Sequence, residues 1–411
     1  MGYDIAIIGG GASGLTAAIS AARAGAGRVA VLEKLPRVGK KLLATGNGRC
    51  NLLNANATAD AYFGDREFAA NVLRSFPYER AAAFFASLGL EIRAEENGCA
   101  YPASNQAAAA LDCLRFSVAE AGAEEICDFE ADSVKADRQG FLVSARDGRS
   151  VFARRVIVAC GGMAAPRLGG GNGFKRLLSP FGHTFTPCLP ALTPLKTDPA
   201  DVAGLKGLRF TGEIALFADG REVARETGEI LFGDAAISGI AAMQLSIPAA
   251  EALNRHRPVE ARLSLMGTDE GAAYALLKAR VRRLGGRALE EFLTGAVVKR
   301  MGQMALKRAG AYPLSRPASS LTEAELRALS RELTAWRIAV TGVAGFDSAQ
   351  VMLGGARASE EFYPETMESR LVPGLYAAGE LFAVTGPCGG YNLTWAWASG
   401  LIAGRSAAES L

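Results

Sequence analysis

Gly9, Gly11 and Gly14 occupy the three glycine positions of G-x-G-x-x-G. That spacing lets the chain turn tightly, brings a pyrophosphate against its amides and packs the next helix close to the preceding strand. The chemistry is recognition of a dinucleotide, with Ala12 and Ser13 at a helix start whose N–H groups face the anion. Glu33 lies nineteen residues beyond Gly14, where a carboxylate can accept hydrogen bonds from both ribose hydroxyls of an adenosine and would repel a 2′-phosphate. Taken alone the motif fits NAD and FAD equally. Glycine fills 48 of 411 positions, so the match gains its weight from context.

That context is a set of elements able to hold such a site. The apolar run 3–8 reads as a strand, 15–19 as the start of a helix, and 28–32 as a second strand ending at Glu33. Residues 34–51 follow, rich in glycine and basic side chains. Lys34, Lys40, Lys41, Thr45, Gly46, Asn47, Gly48, Arg49, Cys50 and Asn51 make this a candidate binding loop, the alternative being a solvated basic loop. Residues 65–89 carry a helical pattern that puts Phe68, Val72, Phe76, Ala83 and Phe84 on one core-facing side. A second helix over 107–121 stops at Gly122. Over 125–158 the period becomes that of strands, with Val134 in a meander that turns at Asp147-Gly148. The strand 155–159 then runs into Cys160, Gly161 and Gly162, a second strand–glycine junction at the edge where open α/β sheets bind ligands.

The proline-rich run 187–195 marks a boundary. Beyond it Asp219-Gly220 predicts a hairpin between 213–217 and 222–225, with further strands at 228–232 and 259–266. Helices are expected again from 269 to 333, the last introduced by a Thr322/Glu325 capping box. Arg280, Arg282, Arg283 and Arg287 read as a solvated basic face. Strands at 337–340, 349–353 and 374–378 end in Gly379-Glu380, and 393–409 reads as an alanine-rich helix.

Composition narrows the function classes. A 49% hydrophobic, 21% charged chain is that of a compact globule. A net charge of +3 gives no reason to expect a nucleic-acid partner. Seven cysteines without a C-x-x-C pair point to no disulfide framework or metal site and to a reducing, cytoplasmic setting. No apolar run is long enough to expect a membrane span, and neither a secretion signal nor a myristoylation motif is expected. His256 reads as surface and His183 as structural, because neither has a metal-spaced or triad partner. Cys50 alone has glycine and arginine neighbours of the kind that lower a thiol pKa, although no second cysteine is placed to form a redox pair with it.

Near the C-terminus, Y-A-A-G-E (376–380) and C-G-G-Y-N-L-T-W-A-W-A-S-G (388–400) resemble the flavin half of FAD proteins of the glutathione-reductase type. With G-G-G-A-S-G (9–14), G-K-K-L-L-A-T-G-N-G-R-C-N (39–51), G-G-M-A-A-P-R-L-G-G-G-N-G (161–173) and I-L-F-G-D-A-A-I-S-G (230–239), nearly the whole chain is similar to the aminoacetone-oxidase-like, or BaiN-type, FAD-dependent oxidoreductases. The resemblance implies an α/β fold. A discontinuous Rossmann-like FAD domain (1–190 plus 342–411) would carry a β-barrel-like insert (191–267 plus 334–341) and a small helical insert (268–333). One segment departs from the family: its F-T-H-x-G-I-S-G appears here as F-G-D-A-A-I-S-G, so substrate selection by that loop does not carry over.

The resemblance implies FAD as cofactor, NAD(P)H as a transient electron donor and a small-molecule substrate, with no membrane partner; monomer and homodimer both remain open. Gly379, Glu380, Gly389, Gly390, Tyr391, Asn392 and Leu393 join the earlier residues, Val134 among them, as FAD contacts. Arg49, Tyr391 and Asn392 become the candidate catalytic groups, with packing and loop hydrogen bonding as the alternative roles. The expected reaction is reduction of an activated C=C bond in an enone or steroid-like molecule. Oxidation of a small amine or aminoketone, and a flavoprotein role in RNA modification, are the alternatives.

Overall fold

The computed structural model describes residues 2–411 as two compact units, 1–190 with 349–411 and 191–348. In the first, a seven-stranded sheet runs in the order Glu124–Ile126, Val29–Leu32, Tyr3–Ile8, Ser150–Val158, Phe141–Ala145, Ala131–Ala136, and Leu375–Ala377 pairs with the far end of Ser150–Val158. The register decides the function of this sheet. Ile8 stands beside Leu32 and Val158, and Val158 beside Ala377, all in parallel pairs. The residues that leave these strand ends therefore share one edge: Gly9, Glu33, Ala159-Cys160 and Ala378-Gly379.

The first helix (Ala12–Arg23) and the C-terminal helix (Tyr391–Glu409) cross closely, because small residues face each other. A Cβ on Gly400 would lie 2.3 Å from the Ser13 carbonyl oxygen, and one on Gly404 would lie 2.1 Å from that of Ala17. Two chain ends almost four hundred residues apart thus become one layer over the sheet.

The helical stretch expected at 65–89 is two helices, Arg66–Arg74 and Tyr78–Ala86. Pro77 breaks the run and resets its phase, so Phe85 rather than Phe84 is fully buried, and Ala83 is exposed. His183 is structural. It is buried against Phe362, its Nδ1 2.9 Å from Glu361 Oε2 and its Nε2 3.0 Å from Ser369 Oγ. Ser369 Oγ already accepts the N–H groups of Leu371 and Val372, so its proton goes to His183 and this serine is a loop tie. Burial lowers the His183 pKa.

The second unit contains a closed six-stranded barrel: Leu195–Thr197, Ala236–Ser238, Arg221–Phe232, Arg209–Ala218, Val259–Ser264 and Trp336–Val343. The hairpin turn has φ of 51° at Asp219 and 74° at Gly220, the two positive values that a tight two-residue turn requires. The segment 228–232 is the end of one long strand rather than a strand of its own. A helix at Ile240–Asn254 has no counterpart in the sequence reading, because Pro248 lies within it and its mostly alanine face carries little periodic contrast. The barrel and the helices share one core, with Leu277, Phe292, Met301 and Leu329 packed into the same cluster as Ile214, Leu216 and Trp336. Arg280 corrects the solvated-face reading. It is buried, and its guanidinium donates to the carbonyls of Phe292 and Thr294, anchoring the turn after the next short helix.

Candidate active site

At the N-terminal turn the backbone itself is the binding surface. A Cβ on Gly14 would sit 1.8 Å from the Gly9 carbonyl oxygen, and one on Gly9 2.5 Å from that of Ala159, so strand, turn and helix touch without side chains between them. Gly11 is different: a Cβ there meets no atom within 4 Å. This open space lies over the first turn of the helix, where Ala12, Ser13 and Gly14 have N–H groups without intrahelical acceptors and no acidic side chain. A pyrophosphate fits that combination of room and donors.

Glu33 is buried and closes the turn, with Oε2 accepting from Gly10 N at 2.8 Å and Oε1 from Leu35 N at 2.9 Å. Lys34 reaches the glycine segment after Gly161-Gly162, its Nζ 3.7 Å from where a Gly171 side chain would begin. Gly161 has open space of the same kind as Gly11. Val134 is buried in its strand and paired with Val143, and the carbonyls of Glu33 and Leu35 accept from Phe129 N and Asp128 N at the start of the meander. The strand period that singled out Val134 carries no information on which end of the meander folds back.

On the same sheet edge Glu380 is held at both oxygens: Lys41 Nζ at 2.6 Å from Oε2 and Met352 N at 3.0 Å from Oε1. The C-terminal helix holds Gly379 in turn, through Ser399 Oγ to its N–H and Trp395 Nε1 to its carbonyl. Lys40 is half-buried in the short helix Lys40–Leu43. Thr45, Gly46, Asn47 and Gly48 then form a kinked turn, with φ of 58° at Gly46 and 55° at Asn47. Thr45 Oγ1 donates to Leu42 O, and Asn51 Oδ1 fills the space beside Gly46.

Cys50 corrects the reactive-thiol reading. It has no exposed surface, and burial pushes its thiol up to about 12. Cys160 is pushed up to about 12 by the same cause. A thiol raised that far is held in its neutral, unreactive form near pH 7.

The loop and the C-terminal helix meet through side chains. Asn54 is buried, donates to the Gly389 carbonyl at 2.6 Å and accepts from Asn56 N; its own N–H donates to Thr394 Oγ1. Cys99 Sγ also reaches Gly389 O, at 3.4 Å. Gly390 presses on the Leu53 carbonyl, where a Cβ would come to 2.4 Å. These contacts put Gly389, Gly390, Tyr391, Asn392 and Leu393 beside residues 52–54. The first turn of the helix again carries free N–H groups and no acidic side chain.

The three candidate catalytic side chains separate here. Asn392 is fully engaged as a clamp: Oδ1 accepts from Gly386 N at 2.8 Å, and Nδ2 donates to Gly386 O at 2.8 Å and Pro387 O at 3.1 Å. It is a positioning residue. Arg49 lies over the Tyr101 ring at 3.9 Å and is bound by Glu95 at 2.9 Å and by Asn105. Its charge is met by the Glu95 carboxylate in a pair open to solvent, which agrees with the loop hydrogen-bonding alternative. Among the described residues, no hydrogen bond engages the Tyr391 hydroxyl. Its ring packs edge-on against Tyr62 at 6.1 Å, Tyr62 Oη donates to the Tyr391 carbonyl at 2.8 Å, and desolvation raises the Tyr391 pKa. Tyr62, Asn54, Glu95, Cys99 and Tyr101 were not singled out in the sequence, for they belong to no motif.

The HI0933-like protein Rossmann domain family matches residues 3–406. This chain belongs to that family. A Clostridium scindens 3-dehydro-bile acid delta(4,6)-reductase is 40% identical over 408 residues, covering 98% of this chain and 99% of that one. An Escherichia coli ribosomal RNA dihydrouridine synthase is 29% identical, covering 97% and 96%. Among solved structures, a Rhodococcus jostii 3-ketosteroid-delta4-(5alpha)-dehydrogenase matches with a TM-score of 0.52 at 17% identity, covering 99% of this chain and 96% of that one, which is a likeness of fold.

The chain is therefore an FAD-dependent oxidoreductase of the HI0933-like family, with the α/β Rossmann architecture and barrel that the sequence suggested. Among the described residues no helix is long and apolar enough to cross a membrane, and no cluster of three His, Cys, Asp or Glu could hold a metal ion.

Proposed function

We propose that this protein reduces a C=C bond conjugated to a carbonyl group in a small, largely apolar enone of the steroid type, with NAD(P)H as the electron donor. The observation that carries the reading is the phenol of Tyr391, held beside the cofactor cradle by Tyr62 with no hydrogen bond to its hydroxyl among the described residues. Bound FAD supplies the two-electron reductant. The N–H groups of Ala12–Gly14 and of Gly161-Gly162 would hold its pyrophosphate, Glu33 its adenosine ribose, and Lys41 with Glu380 its ribityl chain.

Reduction across C=C also needs a proton at the carbon nearer the carbonyl, and Tyr391 is the residue assigned to give it. A tyrosine is protonated at neutral pH, and desolvation raises the Tyr391 pKa further. Tyr62 holds its carbonyl, and Asn392 ties the next residue back to the Gly386 turn. The named activities of the Clostridium and Escherichia relatives have this chemistry in common, since dihydrouridine arises by saturating the C=C bond conjugated to a uracil carbonyl. The higher identity to the bile-acid enzyme and a net charge of only +3 favour a small molecule over RNA.

The test is anaerobic. The FAD-loaded protein is reduced with NADH or NADPH, then offered a 3-keto-4,6-diene steroid, uridine-containing ribosomal RNA, or air. Rapid reoxidation by the steroid alone is expected. Faster reoxidation by RNA would replace the acceptor, and turnover-rate reoxidation by air would restore the oxidase reading.

A further inference from the structure

The first unit carries a second cleft, of about 310 Å³, between the first helix, the C-terminal helix and the turn-and-helix segment 75–87. Its floor is apolar and aromatic, made by Phe76, Phe84, Leu401 and Ile402. Its rim carries Arg23, Arg80 and Arg405, and none of its eleven lining residues is acidic. Arg23 donates to Ser87 Oγ and lies 5.8 Å from the Phe84 ring centre; Arg80 donates to the Ser75 carbonyl. Neither meets a carboxylate within ion-pair distance among the described residues, and Arg405 has only Glu409 at 3.9 Å. Three guanidinium groups around one cleft equal in charge the net balance of the whole chain. None of these residues takes part in the cofactor site.

We propose that this cleft is a binding site for a small amphipathic anion: an aromatic or alicyclic body with one carboxylate, sulfonate or phosphate group. The volume is that of a small-ligand site. The arginines supply charge-assisted, fork-shaped recognition of an oxyanion, and the floor buries the ring. Leu401 to Arg405 lie on the helix that begins at Tyr391, ten residues or about 15 Å along its axis. The cleft thus lies on the helix that carries the proposed proton donor, without touching it.

The experiment is calorimetric titration of the FAD-loaded protein with naphthalene-2-sulfonate, with 2-naphthylmethanol as its neutral counterpart and with sodium sulfate. Saturable binding of the sulfonate is expected, about tenfold or more tighter than either control. The R23Q/R80Q/R405Q variant should lose it by a similar factor while its flavin spectrum and melting temperature stay unchanged, because all three side chains are exposed. Equal binding of the neutral compound, or an unaltered affinity in the variant, overturns the proposal. Co-sedimentation with phosphatidylglycerol vesicles that the variant abolishes would also overturn it, by assigning the arginines to a lipid surface. If enone reduction fails but the sulfonate binds as stated, this site stands and only the proposed reaction falls.

Discussion

The two strand–turn–helix junctions at opposite ends of the chain do similar work by different means. At Gly9–Gly14 the turn is defined by backbone touching backbone, with no room for a Cβ on Gly9 or Gly14. At Gly386–Leu393 it is defined by side chains that reach in from elsewhere: Asn54 to Gly389, Tyr62 to Tyr391, and Asn392 back to Gly386. The first is a rigid grip that glycine alone provides. The second also has glycines without room for a Cβ, at Gly386 and Gly390, but adds side chains from elsewhere and carries a phenol at its centre.

Substitutions should separate the two. Gly14→Val puts atoms within 1.8 Å of the Gly9 carbonyl and should cost ~3 kcal/mol or more, leaving protein that is insoluble or free of flavin by absorbance. A folded, yellow Gly14→Val protein would break the steric account. Tyr391→Phe keeps the ring packing and should retain flavin and its rate of reduction by NAD(P)H, while enone reduction falls about a hundredfold. Equal loss in both half-reactions would make Tyr391 a packing residue.

Asn392→Ala strips partners from the Gly386 N–H and carbonyl, and should lower stability by ~2 kcal/mol in thermal melts while shifting the flavin spectrum. A silent Asn392→Ala would show that the second junction, too, is held by its glycines. Lys41→Met removes an ion pair that is partly open to water, so a change of ~1 kcal/mol or less is expected from melts. A loss as large as that of Asn392→Ala would mean that the Lys41–Glu380 pair, rather than the clamp, organises the edge.

The smallest effect concerns Cys50. Its folded-state pKa is raised from 9.0 to about 12, so the stability it contributes is complete below pH 9 and is lost as pH climbs toward 12. Iodoacetamide at pH 8 should label it only after unfolding. Labelling of the native protein would reinstate it as a functional thiol.

The first junction was legible because everything that defines it is local. Glycine spacing, an apolar run and a carboxylate nineteen residues on are all readable in a line. The second was legible only as a resemblance. Gly389, Gly390 and Tyr391 could be named, but Asn54 and Tyr62 lie 335 and 329 positions away from their partners and belong to no motif. Arg280 and Cys50 failed for a related reason: residue type and neighbours suggested exposure or activation, whereas burial is decided by what packs on them. Pro248 and Pro77 show that a single proline is read wrongly in either direction, tolerated inside one helix and ending another.

By itself the sequence determined most of the elements and the dinucleotide handle, because turn sterics and side-chain period act over a few residues, while the kinship to flavin enzymes came from motif resemblance. The tertiary structure alone decided which strand ends share an edge and which groups engage the side chains of Asn392 and Arg49. Hydrogen-bond partners are chosen by parallel strand register and by the close crossing of the first and last helices, and neither can be computed from neighbours along the chain.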